Sequence, residues 1–354
     1  MVIVAVAVAC GIAPLPPEIV ERWFSTGIYP HIQHIITPIS TRLPSAVFDA
    51  LAVAAVVSVI VGCVRGVARA RAERRVAPVF AVLGQITVAA AVVYLVFLGL
   101  WGFNYRRVSM RDRLDVQPGQ PPPDAVVTLG SEAATSLNTL YADAHAQGWG
   151  EPQWRDESLR RAFIEAQRSL SDAPPAVPGR LKQTIFGPYF RWTNVDGMVD
   201  PFALEVLANP DLLPWERPFV AAHEWSHLAG YADESEANFV GWLTCLHAGA
   251  PAQYSGWLYL FWEISGELNR RDRQRVFEQL ADGPRRDVNA IVARLRRGQI
   301  PVLQNTSWAL YDSYLKANRV DEGIRSYGEV VTLVLRARFT SGWTPVRRAP
   351  ASSR

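Results

Sequence analysis

From Ala77 to Gly102 the chain carries no charged residue, and this limits the possible folds more than any other feature. About 20 consecutive apolar residues suffice for a helix to cross a bilayer, so the run reads as a spanning helix. It ends in Trp101, with Tyr105 just beyond, in the manner of an interfacial aromatic belt. A second run, Ala46 to Val64, holds a single charge, Asp49 near its start, and reads the same way. The apolar opening reaches Pro14 too soon for a full crossing. Without a basic leader or a good cleavage site it reads as a short first span rather than the apolar core of a signal peptide.

Between the two long runs, Arg65, Arg69, Arg71, Arg74 and Arg75 suit a short cytoplasmic loop under the positive-inside rule. The region after the last span is then extracytoplasmic. Arg106, Arg107, Arg111 and Arg113 crowd the opposite end and reduce the charge difference.

The remaining composition is that of a folded domain of ordinary size. With 354 residues there is room for one catalytic domain beside a membrane anchor. Only 19% of residues are charged, and the net charge of +3 comes largely from Arg clusters at segment edges. A nucleic-acid-binding face would instead be continuous and basic, so no nucleic acid is expected as a partner. Cys10, Cys63 and Cys245 lie far apart, which implies neither a disulfide framework nor a cysteine metal site.

These features divide the chain into a membrane region with two or three transmembrane helices (1–102), a juxtamembrane segment with a Pro-rich linker (103–123) and a soluble domain (124–354). Gln117 to Asp124, QPGQPPPD, reads as the extended linker. Asp124 to Gln147 and Arg155 to Leu170 read as amphipathic helices, and the proline-rich DAPPAVPG ends the second. Thr184 to Thr193, with its β-branched and aromatic residues, the turn Asn194 to Gly197 and the MVDPFALEV that follows predict a small irregular sheet or hairpin. Its stretch Phe186 to Val199 is the candidate edge for an extended peptide. The chain after Pro214 reads as helical.

Chemistry concentrates in PWERPFVAAHEWSHLAGYADESEANF. His223 and His227 are spaced i, i+4, so both imidazoles lie on one helix face and converge on one zinc ion. Glu224, rotated about 100° from His223, sits beside the metal. There it can take the proton of a water that zinc acidifies. Gly230 can end this helix. Asp233, Glu234 and Glu236 follow closely, and any of them can supply a third ligand or cap the next helix. His247 is expected at an exposed helix end. The spans hold no ionisable residue near their centres, which argues against transport.

The chain resembles the bacterial membrane family catalogued as domain of unknown function 3810, itself similar to the gluzincin metallopeptidases. The resemblance rests on WGFNYRR at Trp101, FVAAHEWSHLAGYADESEANF at Phe219, YSGWLYL at Tyr254, YDSYLKAN at Tyr311 and GIRSYGEVVTL at Gly323. It implies N-terminal transmembrane helices followed by a mainly α-helical (α+β) zincin-like domain in a multi-pass protein of the bacterial cell membrane. It also implies peptide-bond hydrolysis, with Glu234 as third zinc ligand and Asn238 orienting a ligand histidine. The expected partners are the lipid bilayer and a peptide or protein substrate near it. The competing expectation is a membrane sensor whose zinc-binding domain has little or no turnover.

Overall fold

The computed structural model describes residues 2–150, 152–317 and 329–348. The first four helices are α1 (Val2–Ile12), α2 (Pro17–Arg42), α3 (Val47–Glu73) and α4 (Ala77–Leu100). Of these, α3 and α4 are long and apolar enough to cross a membrane. The expected loop at Arg65–Arg75 is instead mostly helix. Nothing in that Ala- and Arg-rich segment breaks α3, which runs on to Glu73 and stops where Arg74 turns left-handed (φ 51°). Prolines 14, 16 and 17 separate α1 from α2, and the two axes meet at 111°.

Helix α2, π-helical over Glu21–Ile28, packs against the rest of the chain although it lies within the stretch read as membrane region. Tyr29, Gln33 and Thr37 are buried, and each donates to a backbone carbonyl: Leu228 (2.8 Å), Val177 (2.7 Å) and Leu204 (2.9 Å). The segment after α4 is also more than a linker. Met110 and Leu114 are fully buried, and Leu114 and Val116 bridge to Arg347 and Ala337.

The helical body comprises α5 (Pro123–Gln147), α6 (Glu157–Leu170), α7 (Gly187–Thr193), α8 (Arg217–Leu228), α9 (Glu234–Leu246), α10 (Ala250–Glu267), α11 (Arg270–Glu278), α12 (Asp282–Gly298), α13 (Pro301–Ala317) and α14 (Glu329–Arg336). Its core is aromatic, with Trp225, Trp242, Tyr254, Phe163, Phe239 and Phe261 almost wholly buried. Part of the GIRSYGEVVTL segment, Gly323 to Gly328, lies outside the described residues.

Strands β1 (Leu181–Lys182), β2 (Gly197–Asp200) and β3 (Glu205–Ala208) form a sheet in the order β1-β3-β2, with β1 parallel and β2 antiparallel to β3. A separate hairpin pairs β4 (Phe339–Thr340) with β5 (Thr344–Pro345), an exception to the expected all-helical end. The strand expected at Thr184–Thr193 is largely helix α7. Gly187-Pro188 opens it with a proline in the first turn, and Asn194 closes it in the left-handed region (φ 54°). His247 does lie at a helix end, but it is half-buried and its ring meets the Gly342 carbonyl at 2.9 Å.

The sheet is tied to the start of α3 by buried charge. Lys182 Nζ lies 2.5 Å from Glu205 Oε2, both side chains fully buried, and also donates to the Ser45 carbonyl (3.1 Å). The other Glu205 oxygen accepts from Phe48 N–H (2.8 Å), and Asp49 accepts from Thr184 Oγ1 and Ile185 N–H. The lone charge of the second apolar run is therefore an anchor to the sheet. Lys182→Met leaves the Glu205 carboxylate buried without its cation and is expected to cost about 3–5 kcal/mol, most of it recovered in Lys182→Met/Glu205→Leu. Denaturant unfolding of both variants in detergent measures this.

Candidate metal centre

The two histidines stand on α8, and the acidic cluster opens α9 after a tight reversal. Gly230 makes that reversal with φ +81°, where a Cβ would press 2.9 Å from Asn104 Oδ1. Helix α9 then packs back along α8. Gly241 allows this close approach, because a Cβ there would stand 3.0 Å from the backbone nitrogen of His223.

The packing sorts the three acids. Asp233 caps α9, accepting from Ser235 N–H (2.9 Å) and Glu236 N–H (3.2 Å). Glu236 points the other way, accepting from Met110 N–H (2.5 Å) with Arg113 at 3.5 Å. Glu234 alone turns toward the histidines. Its Oε2 lies 3.4 Å from His223 Nε2 and 3.4 Å from His227 Nε2, and the two ring nitrogens are 3.2 Å apart. Among the described residues this is the one group of His, Cys, Asp and Glu side chains close enough to share an ion.

The charges at this triangle are strongly coupled. Burial by itself would raise the Glu234 pKa, yet the imidazoles hold its carboxyl well below the usual carboxylate range. Burial by itself would lower His227, but the Glu234 carboxylate drives it up to about 9. Without an ion the site thus holds a proton on His227, which an ion would displace.

The tautomer of His227 is set by a backbone group. Its Nδ1 meets the Tyr231 carbonyl at 2.7 Å, so Nε2 faces the triangle. This is the orienting role expected of Asn238. Among the described residues, the buried Asn238 Nδ2 has no hydrogen-bond partner, and neither does the buried Nδ1 of His223.

Glu224 lies beside the triangle with its Oε2 buried and unpartnered. Its carboxyl packs directly on Gly197 at the start of β2, where any Cβ would collide with it. Burial pushes its pKa up to about 7, against the pull of His223 and His227. It also lies between two apolar cavities. One, of about 290 Å³, is walled by Trp215, Phe219, Tyr259 and Trp262; the other, of about 380 Å³, by Trp101, Tyr105, Tyr189, Phe190 and Val199. Trp308 of α13 borders both.

A model of the family described as protein of unknown function, DUF3810, matches residues 24–335. The chain belongs to that family. No curated protein and no solved structure matches it.

Several site residues escaped the sequence reading. Tyr311 of α13 donates to Glu234 Oε1 (2.5 Å), and Trp101 Nε1 donates to the His227 carbonyl (2.9 Å). Both lie in segments that carry the family resemblance, WGFNYRR and YDSYLKAN, but nothing in their spacing points to His223. Gly197 is equally silent in the sequence, where it reads only as a turn residue.

The fold favours protonated Glu224, since its pKa near 7 exceeds the ordinary 4.5. Its cost to stability is absent below about 4.5 and grows as pH rises through 7. Glu224→Gln, neutral throughout, is expected to stabilise the metal-free protein at pH 8 by on the order of 2–3 kcal/mol and to change nothing at pH 4.5. Unfolding curves at the two pH values test the sign.

Proposed function

We propose that this protein is a membrane-anchored, zinc-dependent peptidase with His223, His227 and Glu234 as ligands and Glu224 as general base. The supporting observation is the donor triangle, with edges of 3.2, 3.4 and 3.4 Å. Donors about 2.1 Å from an ion in tetrahedral array stand roughly 3.4 Å apart, so these three side chains fit zinc with little rearrangement. The buried Glu224 Oε2, which has no hydrogen-bond partner among the described residues, also fits a site made for a reacting molecule.

Zinc in such a site would supply Lewis acidity, polarising a peptide carbonyl and making water more acidic. The chain's own residues do the rest. Glu224 takes a proton from the attacking water and returns it to the leaving amine. The cavities on either side of Glu224 hold apolar side chains flanking the scissile bond. Among the described residues, strand β2 pairs with β3 on one side only, and its residues Gly197, Met198 and Val199 line the larger cavity. Its free edge offers main-chain hydrogen bonds to an extended peptide. Of the stretch Phe186–Val199, only this end retains the proposed role. A sensor without turnover has no use for Glu224, whose buried carboxyl opposes folding at neutral pH.

Glu224→Gln is expected to retain stoichiometric zinc and lose about 10²- to 10⁴-fold in peptide hydrolysis. His223→Ala, His227→Ala and Glu234→Ala lose the metal, whereas Asp233→Ala and Glu236→Ala keep it. Elemental analysis of the six purified variants, paired with turnover assays, decides the ligand set. Zinc retained in Glu234→Ala counts against it.

The same reading places the domain outside the cytoplasm. Arg106 donates to the Cys10 and Gly11 carbonyls, Arg107 pairs with Glu21, Arg111 with Glu329, and Arg113 with Glu21 and Glu236. These internal contacts engage the arginines nearest the domain, whereas those at Arg65–Arg75 remain mostly exposed at the far end of α3 and dominate the positive-inside bias. A C-terminal reporter active only outside the cytoplasm should therefore be on, and a cytoplasmic reporter at the same point off.

A further inference from the structure

Helix α2 packs Phe24, Ile32 and Ile36 inward among polar side chains and exposes a row of isoleucines beside His31 and His34. Its inward face carries Tyr29, Gln33, Thr37 and Ser40, all buried, while Ile28, Ile35 and Ile39, at i, i+7 and i+11, are more than half exposed. Trp23 is 63% exposed and lies beside Arg22. Such a face suits the headgroup and acyl boundary of a bilayer. The 111° bend from α1 sets this helix across the direction of α1, which packs along α4. It also leads directly into α3, so the lipid-facing surface is continuous with the proposed spans.

The spans meet far from the domain and part toward it. Gly66 approaches Val82 so closely that a Cβ would lie 2.7 Å from it, whereas every residue of α3 from Val53 to Val61 is exposed, on all sides of the helix. The larger cavity lies at the parted ends. One wall is Trp101 and Tyr105, immediately after α4; the other is Tyr189 and Phe190 of α7, whose neighbour Phe186 packs on Phe48 in the first turn of α3 (5.5 Å). Ile185, Tyr189 and Trp192 form a stripe beside it, 60%, 42% and 39% exposed. His223, Glu224, His227 and Glu234 line this cavity.

From this arrangement we infer that the cavity opens onto the bilayer between the parted ends of α3 and α4 and takes the juxtamembrane segment of a membrane-anchored polypeptide, entering sideways from the lipid. The inference rests on the peptidase reading for its chemistry but not for its geometry. An apolar cavity at the membrane ends of two helices favours a chain already held at that depth, because anchoring supplies a high local concentration.

The test uses the full-length protein in lipid nanodiscs, with Cys10 and Cys63 replaced by Ser and the fully buried Cys245 kept, so that the protein without an added cysteine is the labelling blank. Single cysteines at Ile35, Tyr189 and, as a water-facing control, Glu278 carry an environment-sensitive fluorophore, and the lipids carry bromine on their acyl chains. Quenching is expected at Ile35 and Tyr189 and not at Glu278. Tyr189 as unquenched as Glu278 overturns the proposal whether or not the protein is a peptidase. A second arm offers the unlabelled zinc-loaded protein a random-sequence peptide library, free or joined to a transmembrane anchor, with Glu224→Gln as blank. Mass spectrometry should place cuts in the first dozen residues beside the anchor, at least about tenfold enriched over more distant positions. Cuts spread evenly along the chain, or equal cleavage of the free library, overturn the proposal and leave the peptidase reading standing. Quenching at Tyr189 without any preference for the anchored library marks a cavity filled by lipid and overturns the substrate assignment.

Discussion

The carbonyls of His227 and Leu228, the last two of the histidine helix, accept from side chains that stand far earlier in the chain. An α-helix leaves about four C=O groups without partners at its C-terminus, and burying them unpaired is costly. At the end of α8, Trp101 donates to His227, Tyr29 to Leu228 and Arg107 to Gly230, at 2.8–2.9 Å. Residues 123 to 199 positions apart in sequence thus fix the register of one helix end. The candidate centre cannot move relative to α2 and the end of α4 without breaking these bonds.

From that fixed end the rest of the site follows by packing. Gly230 reverses the chain, Asp233 starts α9, and Gly241 lets α9 lie against the backbone at His223. Glu234 is then the acid of the first turn that faces α8, while Asp233 and Glu236 serve the helix terminus and the segment at Met110. Gly197 brings β2 up to Glu224 from the opposite side. The result is a set of buried ionisable groups with few protein partners, which stability by itself would not select. The aromatic body around Trp225, Trp242 and Phe239 offsets that cost.

The elements next to the two long apolar helices add an asymmetry of their own. The inward face of α2 carries Tyr29 and Thr37, which bond to the carbonyls of Leu228 in α8 and of Leu204 just before β3, while Ile28, Ile35 and Ile39 point outward beside His31 and His34. The buried Lys182–Glu205 pair then couples the sheet to the start of α3. Site, sheet and apolar helices are therefore one mechanical unit.

The sequence by itself determined what depends on local geometry and composition. The two long apolar runs read directly as long helices, His223 and His227 had to share a face because i, i+4 is a property of any α-helix, and Gly230 announced a helix end. Among Asp233, Glu234 and Glu236 spacing alone could not choose, because the choice depends on where α9 begins and on which side of it α8 lies. Nor could the aromatic and β-branched residues of Thr184–Thr193 reveal a helix, since they suit a strand equally until Gly187-Pro188 and Asn194 are seen acting as its ends. Only the tertiary structure brought Tyr311 to Glu234, Trp101 to His227 and Gly197 to Glu224. Those pairings join segments far apart in the chain through packing and hydrogen bonds that leave no periodic trace in the sequence.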